Sequence, residues 1–137
     1  MRICIDSCVF IRGLREPSTD AAQVLALISP SFHVYIPRLV IQEVTRNLIA
    51  PDIARFYRLF IGKEFAHIVD SPIPEKLFRL YATLGLNIKG DAIIGAFAEW
   101  MHVDYLISDN RHFLQQLRAD AYRFVTPAEF LAAINPT

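Results

Sequence analysis

Short apolar runs alternate along this chain with segments whose apolar residues recur every three or four positions. The runs are rich in β-branched and aromatic residues, so they predict strands of a buried sheet. We place these strands at residues 2–5, 32–36, 105–107 and 122–125. The segments between them predict the helices that connect one strand to the next.

The predicted helices begin near residues 18–20, 37, 53, 77, 91, 111 and 127. Pro37 suits a first helical turn, and Thr126-Pro127-Ala128-Glu129 is a capping box that opens the last helix. Strands separated by helices predict a parallel sheet covered on both faces. We therefore predict a single domain over residues 1–137, a three-layer α/β/α sandwich around a central, mainly parallel sheet.

Composition supports a folded domain and narrows its class. Hydrophobic residues make up 53% of the chain and charged residues 20%, which suits one buried core. Fourteen basic residues balance fourteen acidic ones, which argues against a pure nucleic-acid-binding module. Cys4 and Cys8 fit no zinc spacing and predict free thiols. With no signal peptide or membrane span in the sequence, we expect a cytoplasmic protein.

Acidic residues follow or precede the predicted strands at one edge of the sheet. Asp6 ends the first strand, Glu43 lies early in the helix after the second, and Asp109 follows the third. Asp91 opens the helix that runs antiparallel into the third strand, so it starts at the same edge. Because sites in open parallel sheets form beyond the carboxyl ends of the strands, we expect the four acids to converge there.

Each of these acids also has an ordinary structural role as an alternative. Asp6 can end a strand, and Asp91 and Asp109 can each cap a helix. Glu43 lies at the edge of the packed face of its helix. A carboxylate that closes a buried apolar run is nevertheless costly without a partner. Their shared edge, rather than any single residue, favours a functional site.

Clustered carboxylates repel one another, and a divalent cation relieves that repulsion. Oxygen ligands without His or Cys select Mg²⁺ or Mn²⁺. Such an ion polarises a phosphoryl oxygen and lowers the pKa of an attacking water. The pattern therefore predicts metal-dependent hydrolysis of a phosphodiester or phosphoester.

The segments that carry these acids resemble the motifs of the PIN-domain family. The resemblance covers nearly the whole chain, and four motifs in order are specific together. They are residues 3–10 (ICIDSCVF), 37–44 (PRLVIQEV), 90–96 (GDAIIGA) and 104–113 (DYLISDNRHF), followed by the closing segment 125–131 (VTPAEFL).

Two positions depart from the family pattern. Cys8 stands where the family often has Asn or Ser. The fourth acid commonly lies two residues after the Ser or Thr, and Asn110 occupies that place here, with Asp109 one residue earlier. Either Asp109 turns towards the site or Asn110 serves as a neutral ligand, and we take Asp109 as the predicted ligand.

The family includes VapC-type toxins of bacterial toxin–antitoxin pairs. The resemblance implies Mg²⁺- or Mn²⁺-dependent cleavage of single-stranded RNA, a homodimer, and a small antitoxin as partner. It also implies roles for individual residues. Asp6, Asp91 and Asp109 would hold the metal, and Glu43 would hold it or orient the attacking water. The substrate-binding or bracing residues would be Ser7, Ser108 and Asn110, and the candidates for RNA backbone contact Arg12, Arg38, Lys89 and Arg111.

Two other functions remain as alternatives. A catalytically weak PIN-like module that binds RNA or a protein partner would fit the irregular fourth motif and the neutral charge. A small metal-dependent phosphatase is less favoured, because Cys8 stands where an aspartyl-phosphate enzyme needs a second Asp. The histidines show no ligand spacing, and we assign no chemistry to them; they are His33, His67, His102 and His112.

Overall fold

The computed structural model describes residues 1–85, 90–110 and 120–135. The strands in these ranges are β1 (Arg2–Ile5), β2 (His33–Pro37), β3 (Ala66–Val69), β4 (Tyr105–Ile107) and β5 (Arg123–Val125). The helices are α1 (Ser7–Arg15), α2 (Asp20–Ala26), α3 (Arg38–Asn47), α4 (Ala50–Arg58), α5 (Glu75–Ala82), α6 (Asp91–Trp100) and α7 (Pro127–Ile134).

The strands form one parallel sheet in the order β3-β2-β1-β4-β5. β1 is central, and its Ile3 pairs with Val34 of β2 on one side and Tyr105 of β4 on the other. The chain builds outwards from β1 in both directions, so the crevice between β1 and β4 is the topological switch point. In open parallel sheets this is where ligands bind.

Helices flank the sheet, and the predicted three-layer α/β/α fold is confirmed. α1 packs against α2, α3 and α4, whereas α5 packs against α6, which also contacts β2 and β4. Apolar strand residues such as Ile3, Ile36 and Leu106 are fully buried. Phe10 of α1 meets Phe56 and Phe60 edge-on, with ring centroids 5.2 and 5.7 Å apart. This aromatic cluster joins α1 to α4 and belongs to the core.

Most predicted elements match the structure, and the differences have local causes. β1 and β4 have the predicted bounds, whereas β2 is shifted by one residue and β5 begins at Arg123. α2 begins at Asp20, because the Thr19 side chain, rather than Ser18, accepts the capping hydrogen bond from the Ala22 N–H. The prediction of α6 to residue 102 was two residues too long, since His102 has a positive φ of 52°. The helix predicted from residue 111 lies outside the described residues.

Two elements were not predicted. α1 follows Asp6 directly, with Val9, Phe10 and Leu14 buried on one face. β3 is an edge strand whose Ile68 side chain is half exposed. The predicted capping box is present in α7: the Thr126 hydroxyl accepts from the Glu129 N–H, and the Glu129 carboxylate accepts from the Thr126 N–H. Within the described ranges, no helix combines the length and apolar character that crossing a bilayer requires.

Candidate acidic active site

Asp6 occupies the centre of the carboxyl edge of the sheet, between the ends of β1 and β4. Its N–H donates to the Ile107 carbonyl at 2.9 Å, which continues the β1–β4 pairing by one residue. Its side chain is only 8% exposed and has a partner for each oxygen. Oδ1 accepts from the Ser7 N–H at 2.8 Å, and Oδ2 accepts from the Ser108 hydroxyl at 2.8 Å. These bonds fix the carboxylate and make burial of a charged group tolerable.

Glu43 and Asp91 approach Asp6 from two helices, α3 and α6. Burial raises the pKa of Glu43, and the negative charges of Asp6 and Asp91 raise it further, while hydrogen bonding from the Ser7 side chain and the charge of Arg46 oppose this. Burial also raises the pKa of Asp91, with the charge of Asp6 as the next cause. The charge of Asp6 thus acts on both Glu43 and Asp91, and these acids share one electrostatic environment.

The corner after β4 presents Asp109 and Asn110 in different directions. Both oxygens of Asp109 accept hydrogen bonds from Arg12, at 3.0 Å from Nε and 3.1 Å from Nη2. Arg12 also pairs with Asp20 at 2.5 Å, so it joins α1, α2 and the corner. The side-chain amide of Asn110 instead approaches Asp91 Oδ2 at 3.5 Å, which is a long contact. The backbone N–H of Asn110 donates to the Ser108 hydroxyl at 3.1 Å. The ligand role predicted for Asp109 therefore requires Arg12 to release its carboxylate.

Cys8 contributes to the site in a way that the sequence analysis did not anticipate. Its Sγ lies 3.7 Å from Asp6 Oδ2 and 3.6 Å from the Ser108 hydroxyl. Burial and the charge of Asp6 raise the pKa of the Cys8 thiol to about 11, so it stays protonated at neutral pH. A protonated thiol beside a carboxylate is a weak hydrogen-bond donor. The only signal in the sequence was that Cys8 replaces a polar residue of the family motif.

The other predicted contact residues divide into those near the site and those elsewhere. The Ser7 and Ser108 side chains are buried against Asp6, which is the bracing role considered for them. Arg38 pairs with Asp70 at 3.6 Å on the exposed surface. Lys89 and Arg111 lie outside the described residues.

The chemistry of the three coupled acids fits a hard divalent cation. Their donors are carboxylate oxygens, and the pKa values of Glu43 and Asp91 are raised first by burial and then by the charge of Asp6, both of which a cation would offset. Within the described part of the chain, however, no three His, Cys, Asp or Glu side chains already form a closed ligand set. The fit is therefore one of charge and ligand type.

An apolar groove is lined by residues of α3 and α6, the two helices that carry Glu43 and Asp91. Its volume is about 420 Å³, and Leu39 of α3 and Ile93 and Phe97 of α6 line it together with Val69 at the end of β3. Arg38, Asp70 and Glu75 add charge to its lining. Glu43 and Asp91 lie on the same two helices but do not line the groove.

The sequence model of the PIN domain matches residues 3–119. The match spans most of the chain, and the protein belongs to the PIN-domain family, whose members are generally nucleases. The resemblance noted in the sequence is thereby confirmed. A sequence search of curated proteins finds no significant match.

Solved structures with the same fold come from bacteria and an archaeon. A chain of VapBC2 from Rickettsia felis, crystallised with a DNA fragment from its promoter, has a TM-score of 0.63 at 16% identity, covering 92% of this chain and 98% of its own. A chain of FitAcB from Neisseria gonorrhoeae has a TM-score of 0.65 at 14% identity, with the same coverages of 92% and 98%. PAE2754 from Pyrobaculum aerophilum has a TM-score of 0.61 at 15% identity, covering 100% and 97%. At these identities the likeness is one of fold.

Proposed function

We propose that this protein is a metal-dependent endoribonuclease that hydrolyses phosphodiester bonds of single-stranded RNA. The observation that carries the proposal is the electrostatic coupling of Asp6, Glu43 and Asp91 at the switch point of the sheet. Membership of a family of nucleases supports the same reaction class. A neutral net charge is compatible with it, because charge at the scissile phosphate would come from the bound ion.

Asp6, Glu43 and Asp91 would hold Mg²⁺ or Mn²⁺, with Asp109 proposed as the fourth ligand and Asn110 as the alternative. The ion would stabilise charge on the phosphoryl group and activate water. The side chains of the protein would orient the carboxylates and accept a proton from the attacking water. The bonds from Ser7 and Ser108 hold Asp6 in one rotamer. The raised pKa of Glu43 makes its carboxylate a better acceptor for a proton from the attacking water.

We further propose that the protein is the toxin of a type II toxin–antitoxin pair, acts as a homodimer in the cytoplasm, and is bound by a small antitoxin. The resemblance of its motifs to VapC-type toxins supports this, as does the fold shared with chains of VapBC2 and FitAcB. The apolar groove supports a protein partner, because exposed apolar surfaces commonly bind other proteins and the groove lies on the two helices that carry Glu43 and Asp91. A small reading frame beside the gene, encoding a DNA-binding protein that co-purifies with this chain, is the expected finding.

The nuclease proposal is tested with purified protein, Mn²⁺ or Mg²⁺ and a panel of structured and unstructured RNAs. We expect cleavage that EDTA abolishes and that Asp6→Asn and Glu43→Gln each reduce by about a hundredfold or more, since each removes a proposed metal ligand. Glu64→Gln is the matched control, because Glu64 is exposed and lies outside the site. If the whole panel stays intact, and cells expressing the wild-type chain grow like those expressing Asp6→Asn, the proposal fails.

A second candidate is a catalytically weak PIN-like module that binds RNA or a protein. The specific observation in its favour is the corner after β4, where Arg12 engages the Asp109 carboxylate and Asn110 faces Asp91. Calorimetry separates the two functions. A nuclease requires Mn²⁺ binding that Asp91→Asn weakens, whereas absence of measurable Mn²⁺ binding, together with retained RNA binding, favours the module.

A further inference from the structure

Two histidines from neighbouring strands meet far from the acidic site. His33 begins β2 and His67 lies in β3, so the pair is near the amino ends of the strands, whereas the acids lie at their carboxyl ends. His33 Nδ1 and His67 Nε2 are 3.0 Å apart, and the ring planes differ by only 15°. This geometry is that of an in-plane hydrogen bond, in which one ring supplies an N–H and the other a lone pair.

The surroundings hold the two rings in place. His67 pairs with Tyr35 in the strand register, and their rings stack with centroids 4.5 Å apart. The Arg2 guanidinium lies over the Tyr35 ring, with its central carbon 5.0 Å from the ring centroid. Both histidines are half-buried and line a cavity of about 350 Å³. The backbone ladder and the ring stack therefore hold the two rings close together at the edge of a space that admits water or an ion.

The surroundings of His67 favour its neutral form. Burial lowers the pKa of His67, and the neighbouring His33 and Arg2 lower it further. The ring is thus neutral near pH 7 and keeps a lone pair. Imidazole nitrogens coordinate transition metals at about 2.0–2.1 Å, so two ligands at a right angle on one ion lie about 3.0 Å apart. The observed 3.0 Å separation is close to that spacing, so a tilt of the rings out of their hydrogen bond would direct both lone pairs at one ion.

We propose that His33 and His67 form a bidentate imidazole site for a borderline transition-metal ion such as Cu²⁺, Ni²⁺ or Zn²⁺, separate from the acidic site. Coordination replaces the shared hydrogen bond, and the ring that carried its proton moves that proton to its other nitrogen, so no proton is released overall. In the described part of the chain no third His, Cys, Asp or Glu completes the set, and water fills the remaining positions.

Arg2 limits the affinity of this site. The positive charge of Arg2 repels a cation. Its guanidinium is already engaged, because Nη1 donates to the Met101 carbonyl at 2.7 Å and the group lies over the Tyr35 ring. With two protein ligands and a nearby positive charge, we expect a dissociation constant in the micromolar range. The site would respond to an excess of free transition metal rather than hold a permanent ion.

The test uses the full chain without an affinity tag, titrated with Cu²⁺ and followed by calorimetry and electron paramagnetic resonance. We expect one equivalent with micromolar affinity and hyperfine splitting from two nitrogens. His33→Ala and His67→Ala should each weaken binding at least tenfold and remove the two-nitrogen pattern. His102→Ala is the matched control, because His102 is exposed in the turn after α6.

His67→Phe guards against loss of folding, since it keeps an aromatic ring to stack on Tyr35 and removes only the nitrogens. A His67→Phe protein with wild-type thermal stability and without the two-nitrogen signal supports the site. The proposal is overturned if that signal persists in His67→Phe, or if the wild-type chain binds Cu²⁺ only at millimolar concentration. Because the acidic site offers oxygen ligands, cleavage of RNA and nitrogen coordination of Cu²⁺ can fail independently.

Discussion

Asp91 shows how one carboxylate can be unfavourable to the fold and still useful to the site. Its pKa is raised by burial and by the charge of Asp6. The ionised form is therefore less favourable in the folded protein than in the unfolded chain. The associated stability is present at low pH and is lost as the pH rises through the raised pKa. A bound cation would remove this penalty.

We expect Asp91→Asn to melt at a higher temperature than the wild type at pH 7.5 in EDTA, with the gap closing as the pH approaches about 4, the ordinary pKa of Asp. Saturating Mn²⁺ should reverse the order, because it stabilises only the chain that binds it. Thermal denaturation at several pH values measures both effects. Asp70→Asn, which removes an exposed acid, should show neither the gap nor the reversal.

The corner after β4 gives a second prediction for single residues. With Asp109 as the fourth ligand, Asp109→Asn should weaken Mn²⁺ binding more than Asn110→Ala does, and Arg12→Gln should tighten it, because Arg12 engages both Asp109 oxygens. Calorimetry with the three variants measures this. The opposite order would instead support Asn110, whose side chain lies 3.5 Å from Asp91 Oδ2.

At the scale of elements, the close approach of α1 and α2 is what holds Arg12 and Asp20 near the corner. A Cβ placed on Gly13 would lie 2.8 Å from Leu25 Cδ1 and 3.0 Å from the backbone of Ala21. Leu25 can move, but the α2 backbone can do so only by shifting the helix. Gly13 thus sets the distance between the two helices.

Gly13→Ala should lower the free energy of unfolding by about 1–3 kcal/mol through overpacking, although alanine is the better helix former. Denaturant unfolding measures the change. Gly90→Ala serves as the control, since no atom lies within 4 Å of the added carbon. A Gly13→Ala chain stabilised by about 1 kcal/mol would show that helix propensity alone decides, and that the helices separate without cost.

Some of the strands and helices could be predicted from the sequence, and others could not. β1 and β4 were predicted with their observed bounds, because their fully buried apolar runs have no competing interpretation. α1 was missed because Val9, Phe10 and Ile11 continue the apolar character of β1 beyond Asp6. β3 was missed because residues 66–69 are only partly buried at the sheet edge and show no alternation.

For the same reasons, the residues of the candidate site could be predicted only in part. The edge that carries Asp6, Glu43 and Asp91 followed from topology, which depends on strand order rather than on exact bounds. The pairing of Asp109 with Arg12 could not be predicted, because Arg12 lies on α1, a helix that was not predicted, and is 97 residues away in sequence. The histidine pair was invisible for a similar reason: without β3, nothing brought His67 to His33.

At the scale of the whole molecule, the numbers of basic and acidic residues are equal. Formal net charge is zero, and Arg12 and Arg38 both have acidic partners. Phosphate contacts made by the chain release counterions and give RNA binding its dependence on salt, at about 0.7 log units per phosphate for single strands. If the chain makes few phosphate contacts, its binding to RNA depends only weakly on salt concentration.

We therefore expect the logarithm of the RNA association constant to fall with the logarithm of salt concentration with a slope shallower than about −2. Fluorescence anisotropy with labelled single-stranded RNA and the Asp6→Asn chain in EDTA measures it without cleavage. A slope of about −4 or steeper would show that many cationic side chains gather on the RNA, including some outside the described ranges.

The hydrogen bond between Ser108 and Asp6 joins residues 102 positions apart. During synthesis, Asp6 leaves the ribosome long before the segment that braces it, and β4 must add to β1 before the acids can face one another. The nascent chain therefore has no assembled site until β4 and Ser108 have been synthesised. Under the proposed ribonuclease function, the chain could not cut its own messenger before β4 has paired with β1, and this delay follows from the order of the strands alone.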